Sequence, residues 1–528
     1  MKRFVPALAI GAALAALYVL RLDDVAGLYV DDAYYVVLAQ AIARGQGYTL
    51  ISSAVGPILP AFPPGFALLL APVIAATPEF PGNIAALKMV SIVSMLSVAA
   101  LTYHYLLRHR GLDRPRAATV AVITAILPAF VFLATSTLMA ECVFALTVVG
   151  GAVAIERAVS GGQRPTRQLV VAAVISTMSW LVRSAGIAVV LTGVLLLLSR
   201  RGWRSSASFV VICGLCYAPW AIYQRSHEPT DAQREAHGGS IVYSYGALLS
   251  MRSGGDAASG NAASSDVVMR VLKNVVNVFG RDMGAVILPS GYRGASESGQ
   301  EVFQLSGESG LRSGSMGLGT PVLVLSFTLS AFVLIGWAAT AFSRLGAAEI
   351  LSALTIAMVV LVPNRTFRYV LPIAPFLVSY FLAGIEIAAG RLRAGAGFPA
   401  FRVVSASLLI LLMAEHGQYV AQKLSGPPPM WIESGQEVRA VSDWMGTHLS
   451  QDGAIASTNP GLIYLLTGHH TVTFVDPVQN WPRWKDAGVR FAVALHVGPA
   501  PGSAHGYWPL YESPRLGLWV KELAPKGP

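Results

Sequence analysis

The sequence predicts an α-helical polytopic membrane protein, about 11 transmembrane helices followed by a small C-terminal extracytoplasmic α/β domain. Hydrophobic residues fill 54% of the 528 positions and charged residues only 12%, about half the charged share usual in globular proteins. Runs without a single charge, such as IAVVLTGVLLLL and PVLVLSFTLSAFVLIGWAATAF, recur at the length a bilayer core demands. The formal net charge of +10 is unevenly placed. From Met430 to Pro528 seven Lys/Arg stand against eight Asp/Glu, so the basic surplus lies among the apolar segments before them. That is a topology signal and not a nucleic-acid footprint. Together these features exclude a water-soluble or a disordered chain.

Apolar spans are expected near 4–22, 84–107, 117–135, 138–155, 169–182, 186–199, 206–223, 320–342, 347–362, 370–389 and 402–420. The 169–199 pair is short and reads either as two buried spans or as a re-entrant hairpin. The opening MKRF and its apolar stretch to Leu22 lack an A-x-A-like site before LDD, which suits an uncleaved first span. With the N-terminus inside, the inner segments collect Lys2, Arg3, Arg108, Arg110, Arg114, Arg116, Arg157, Arg164, Arg167, Arg200, Arg201, Arg204, Arg344, Arg391, Arg393 and Arg402. The short outer connections hold chiefly Arg44, Arg183, Arg365 and Arg368. This bias places the N-terminus in the cytoplasm of a cell whose inner membrane the chain crosses repeatedly.

Three polar regions then face outward: 23–83, 224–319 and everything after about Lys423. The chain accordingly divides into a transmembrane part, 1–423, and an extracytoplasmic α/β domain, 424–528. In the middle region SGGDAASGNAASSD reads as linker, and VVMRVLKNVVNVFG as a helix lying along the interface. The last hundred residues alternate helix-like EVRAVSDWMGTHL with strand-like GAIAST, TVTFVD and RFAVALHV. Cys142, Cys213 and Cys216 sit in apolar segments without a second Cys or His set, so neither a disulfide framework nor a zinc site is expected. His469-His470 reads as a solvated loop, with no surrounding spacing that completes a metal set.

The first outer loop carries the sharpest constellation, VDDAYYVVLAQAIARGQGY. Tyr34, Val37, Leu38, Ala41 and Ile42 form one apolar helical stripe, with Asp31 at the N-cap and Gly45 at C′. Adjacent helix residues do not face each other, so Asp31 and Asp32 address different partners: one a general base toward a bound hydroxyl, the other an orienting group. Capping alone is the competing reading of Asp31. Tyr35 and Arg44 of the same segment are substrate-binding candidates. Ala61-Phe62-Pro63-Pro64-Gly65-Phe66 opens an apolar stretch too short to span, with prolines suited to a first helical turn. Glu141, at the outer end of a span, is a functional candidate because an intramembrane acid is expensive to keep. Arg183 marks the tip of the short pair. Arg365, Arg368 and Tyr369 occupy the segment PNRTFRYVLP, where outward arginines oppose the charge bias and suit a lipid phosphate.

The order of these segments resembles the GT-C glycosyltransferases, in particular the bacterial ArnT-like and protein-mannosyltransferase-like enzymes that use polyprenyl-phosphate sugars. The resemblance runs from VDDAYYVVLAQAIARGQGY through FPPGF, STLMAE, LVRSAG and RYVLPIAP to the outer α/β region. It implies that Asp31 is the catalytic base, with Asp32 where the family more often has Glu. A lysine often precedes the proline pair in this family. Phe62 stands there instead, which moves the phosphate contact to Arg365, Arg368 or Arg183. It further implies a polyprenyl-phosphate sugar donor, an acceptor that is a glycan, lipid or protein, and inverting transfer beside membrane lipids. No cofactor is required; a divalent cation at the acid pair is compatible but not needed. Two alternatives stay open, a transporter or flippase of lipid-linked sugars and a non-catalytic assembly factor. Internal repeats of the kind transporters show are not found.

Overall fold

The computed structural model describes residues 5–161, 164–252, 260–289, 320–363, 367–392, 399–450, 452–474, 484, 487–495, 507–512 and 519–523. All eleven segments expected to span are helical. Among the described residues seven helices are long and apolar enough to cross a membrane, or eight if one bent pair is a single span. The others are α1 (Val5–Arg21), α8 (Pro165–Val182) and the helix Ala347–Leu361.

The bent pair replaces the single helix expected over 117–135. α5 (Arg114–Ala125) and α6 (Pro128–Thr135) meet at 50°. Pro128 has no N–H to continue the helix and holds Leu127 in an extended conformation (ψ 125°). The carbonyls freed at the break do not face lipid unpaired. Tyr18 of α1 donates its hydroxyl to Ala125 (2.7 Å), and the His416 ring meets the carbonyl of Ile126 (2.8 Å).

α7 (Glu141–Ser160) is the central strut, followed by α8 and α9 (Ile187–Arg201). The 169–199 pair, left open by the sequence, forms two antiparallel helices. Their joining corner at Arg183 meets Glu141 at one end of α7, and Arg201 at the far end of α9 adjoins Gly161 at the other. They therefore run the depth of α7 and do not turn back short.

Two short helices bracket the outer-loop acids. α2 (Asp31–Ala43) ends as the sequence predicts: Gly45 adopts φ +70°, its N–H reaches Ile42, and the Gln46 N–H reaches Ala41 (3.0 and 2.9 Å). Contrary to expectation α2 is not half-solvated; every residue from Asp32 to Ala41 is buried. Tyr34 and Val37 are covered by Leu50, Ile58, Ile241 and Val242, Ala33 meets the helix Pro460–Thr467, and Tyr35, Val36, Leu38 and Ala39 join the main core. α3 (Gly65–Ala76) starts just after the proline pair. Its Gly65 lies so close to α8 that a Cβ would sit 2.8 Å from the Leu181 carbonyl oxygen.

The linker segment 253–259 lies outside the described residues. The helix Ser264–Asn277 follows it with Val268, Met269, Leu272 and Val276 exposed on one side. Asn274 and Arg270 on the other side bond the last carbonyls of Ala347–Leu361 and Val362. An apolar face turned outward at a helix end suits the expected interfacial position.

After the last long helix, Ala400–Ser425, comes the helix Met430–His448 and a five-stranded sheet, β1 (Ala454–Ser457), β2 (Thr471–Thr473), β3 (Val489–Ala494), β4 (Tyr507–Glu512) and β5 (Trp519–Leu523). The order is β2-β1-β3-β5-β4, parallel around β1 and antiparallel around β5. β4 and β5 were not foreseen. Pro509 interrupts the alternation of β4 and is tolerated because β4 is an edge strand. His469 is buried (2% exposed) and not solvated, since it follows directly on the Pro460–Thr467 helix beneath β2.

A buried polar hub joins these parts. Lys88, in the second turn of the apolar α4 (Ile84–Arg108), donates to the carbonyls of Asp23, Val25 and Thr135 at 2.6–2.8 Å, using all three ammonium protons. The Asp23 carboxylate accepts from Ser136 (2.6 Å), Tyr419 (2.7 Å) and Trp431 (3.2 Å) and pairs with Lys423 (3.1 Å). Lys88→Met strands three buried carbonyls and is expected to lower stability by about 3 kcal/mol. Arg439→Ala, which breaks only a partly exposed pair with Asp24, changes it by no more than about 1 kcal/mol. Thermal unfolding of the detergent-purified chain measures both.

Candidate active site

The loop from Gly27 to Asp31 is shaped by Asp32. One Asp32 oxygen accepts the N–H of Gly27 (2.8 Å), and the other those of Tyr29 (2.9 Å) and Ala33 (3.1 Å). Between these anchors Val30 is held at φ +53°, ψ −61°, with the Asp31 N–H bonded to the Tyr29 carbonyl. This γ-turn geometry is rare for a β-branched residue and costs about 1–3 kcal/mol. Asn459, at the start of the Pro460–Thr467 helix, donates to the Gly27 carbonyl (2.7 Å) and props the same loop.

Asp31 is therefore the first residue of α2 and not its cap; the cap position belongs to Val30, which has no side chain to serve. Asp31 points away from the helix to Arg368, 3.7 Å off, and its side chain stays 35% exposed. Asp32 is fully buried. The acid pair separates as adjacent helical residues must, with Asp32 in the supporting role.

Arg368 comes from a single helical turn, Phe367–Tyr369, that precedes the helix Ala374–Leu392. Its guanidinium also lies 3.4 Å from Glu141. The same Glu141 oxygen accepts from Arg183 at 2.6 Å. Arg183 caps α8 in an extended conformation, and the three-residue turn after it points the chain back into α9. Tyr369 lies against the Arg183 guanidinium, 5.7 Å from ring centre to Cζ. Tyr35 stacks on Phe62 with ring centres 4.9 Å apart, and meets Phe66 edge-on. Phe62 thus fills with an aromatic surface the place where the resembled family carries a lysine.

Asp31, Glu141, Arg183 and Arg368 balance two negative charges with two positive ones. Glu141 is 1% exposed, so its charge is held by guanidinium groups and not by water. Burial pushes the Asp31 carboxyl above the usual carboxylate range, and Arg368 and Arg183 draw it only partly back. The site thus combines an accessible acid of raised basicity with two adjacent guanidiniums able to bind phosphate oxygens. Among the described residues no three His, Cys, Asp or Glu side chains converge into a metal-binding group.

The sequence-derived residues Asp31, Tyr35, Glu141, Arg183, Arg368 and Tyr369 come together. Arg44 does not: it sits exposed just past the far end of α2, about 20 Å from Asp31 at 1.5 Å per residue. Arg365 lies outside the described residues. Lys88 and Asp23 were missed, although a lone lysine in an apolar span is itself a signal. Tyr245 was missed as well; it lies within electrostatic range of Arg183, Tyr35 and Tyr369, and nothing in its polar surroundings in the sequence marks it.

Glu141→Ala leaves two buried guanidiniums facing each other and is expected to destabilise by about 3–5 kcal/mol. Asp31→Asn, at a partly open position, changes stability by about 0.5 kcal/mol at most. Chemical unfolding in detergent separates the two.

No family model and no curated protein matches the sequence. Solved structures do match. The structure of ArnT from Cupriavidus metallidurans bound to undecaprenyl phosphate superposes with a TM-score of 0.56 at 12% identity, covering 99% of each chain. The oligosaccharyltransferase AglB from Archaeoglobus fulgidus matches in its apo form with a TM-score of 0.55 at 15% identity, covering 92% of this chain and 69% of AglB. Its complex with an inhibitory peptide and a dolichol-phosphate gives 0.54 at 12% identity over the same shares. At such identities the likeness is one of architecture: the chain has the GT-C membrane fold.

Proposed function

We propose that this protein transfers a sugar from a polyprenyl-phosphate donor to an acceptor hydroxyl, at the outer face of the cytoplasmic membrane and with inversion at the anomeric carbon. The observation that carries this reading is Asp31: among the three acids Asp31, Asp32 and Glu141 it alone keeps an open face, and it stands 3.7 Å from Arg368. The fold adds support, since ArnT was solved with undecaprenyl phosphate and AglB with a dolichol-phosphate.

In this reaction Asp31 takes the proton of the acceptor hydroxyl as its oxygen attacks the anomeric carbon. The bond from that carbon to the phosphate oxygen breaks, and the electron pair leaves with the polyprenyl phosphate. Arg368 and Arg183 meet the charge gained by the phosphate, held for that task by Glu141. Tyr35, Phe62 and Tyr369 flank the sugar, and Asp32 keeps the base aimed. A divalent cation is not needed, because both exposed roles, base and phosphate partner, are filled by side chains. The acceptor is a glycan, a lipid or a protein.

Purified protein given labelled polyprenyl-phosphate sugar and an envelope extract as acceptor tests the proposal. Asp31→Asn is expected to lower transfer by about 10²–10⁴-fold with the fold intact. Unchanged transfer in that variant overturns the reading. A base works only when deprotonated, so activity falls as pH drops through the Asp31 pKa. Because burial raises that pKa, the acid limb lies above the ordinary range of an aspartate. Arg368→Gln removes the chief opposing charge and moves the limb further up. Chelation with EDTA leaves the wild-type rate unchanged.

A further inference from the structure

A second polar group lies at the opposite end of the bundle. Glu141 and Glu156 stand near the two ends of α7, about 22 Å apart at 1.5 Å per residue. Around Glu156 the chain is closed by buried bonds: it accepts the Ala347 N–H (2.8 Å), and the Tyr105 hydroxyl lies 3.4 Å away. Beside this closure a cavity of about 180 Å³ opens between α4, α5 and the helices Thr320–Ser343 and Ala374–Leu392. It is smaller than the roughly 300–1,000 Å³ of drug-sized sites, so it suits a headgroup and not a whole lipid-linked sugar.

Its floor is the pair Arg110–Glu349 (2.7 Å), almost fully buried, with Tyr380 donating to the same carboxylate at 2.9 Å. Its rim is Arg116, forked onto Glu386 by two bonds of 3.0 and 2.8 Å. Arg344 is the third arginine of the lining, and among the described residues no carboxylate pairs with it. Arg110 is engaged by Glu349, and Arg116 by Glu386 and, at 3.6 Å, by Asp113, so the cation of the lining left to meet a ligand is Arg344. Apolar walls at Leu106, Val120 and Phe401 complete it. Next to Arg344 in the chain, Phe342 (93% exposed) and Leu345 (47%) turn outward, as side chains do that lie against lipid tails.

We propose that this cavity binds the phosphodiester headgroup of an anionic phospholipid, drawn from the leaflet opposite the Asp31 cluster. A phosphodiester carries a single negative charge, the match for one arginine without a carboxylate partner. Arg344 pairs with it at the mouth, the Ser379 hydroxyl lies beside it, and the acyl chains run out along Phe342 and Leu345. Positively lined pockets between transmembrane helices on the cytoplasmic side are the usual seats of acidic lipid headgroups, and this is the end of the bundle where the basic residues gather. The site is separate from the transfer chemistry and stands or falls without it.

Native mass spectrometry of the full chain in detergent, titrated with phosphatidylglycerol or phosphatidylcholine, tests this. The wild type is expected to hold phosphatidylglycerol about tenfold more tightly than phosphatidylcholine, and Arg344→Glu to lose that preference. Ala383→Phe, which fills the cavity without touching a charge, is expected to lose binding as well. Thermal unfolding verifies that both variants are folded. Retention of the lipid in millimolar inorganic phosphate supports a lipid occupant; displacement assigns the site to free phosphate and overturns the lipid. Equal binding of the two lipids, or wild-type binding by both variants, overturns the proposal altogether.

Discussion

One oxygen of Glu141 holds the site together. Arg183 and Arg368 arrive from distant segments, the corner between α8 and α9 and the single turn before Ala374–Leu392, and both reach that atom. Two guanidiniums out of water repel each other strongly unless a carboxylate lies between them. Placing that acid at the first residue of α7 therefore decides where three helices converge. It also leaves Asp31 with the looser share of that pairing, 3.7 Å from Arg368, so that it keeps its open face.

A division of labour among acids runs through the outer loop. Asp23 spends its carboxylate on Ser136, Tyr419, Trp431 and Lys423, and Asp32 spends its own on three backbone N–H groups. Both are structural, and their bonds leave little freedom for the loop between them. The strained turn at Val30 persists because the bonds on either side over-determine it. Of Asp23, Asp31 and Asp32, Asp31 is the one acid whose carboxylate keeps an open face.

Much of this was legible in the sequence, for identifiable reasons. Long apolar runs admit one structural solution in a bilayer, so all eleven segments are helical where expected. Arg183 and Arg368 were legible because they oppose the charge bias, and Glu141 because a buried acid needs a partner. The break at Pro128 was signalled by the proline itself, but the carbonyls of Ala125 and Ile126 are satisfied by Tyr18 and His416, residues far away in sequence that no local pattern could supply. The roles of Asp31 and Asp32 depend on which way each side chain turns, a matter settled by Gly27, Tyr29 and Arg368 together. Burial of α2 on every side was illegible for a like reason: part of its cover comes from segments that lie some two hundred and four hundred residues further along.

The strands at the C-terminus share their interior with the loop that carries the acids. Val25, Leu28 and Ala33 pack in one cluster with Ile432, Val441, Ile463 and Phe491, and Ser53 pairs with Thr471 as an extra bridge beside β2. The two regions consequently do not behave as exchangeable modules. Recombining this terminal portion with that of another chain would withdraw most of the hydrophobic filling that Val25, Leu28 and Ala33 pack against. The C-terminal portion is a buttress for the loop that holds Asp31, so a change in one is felt in the other.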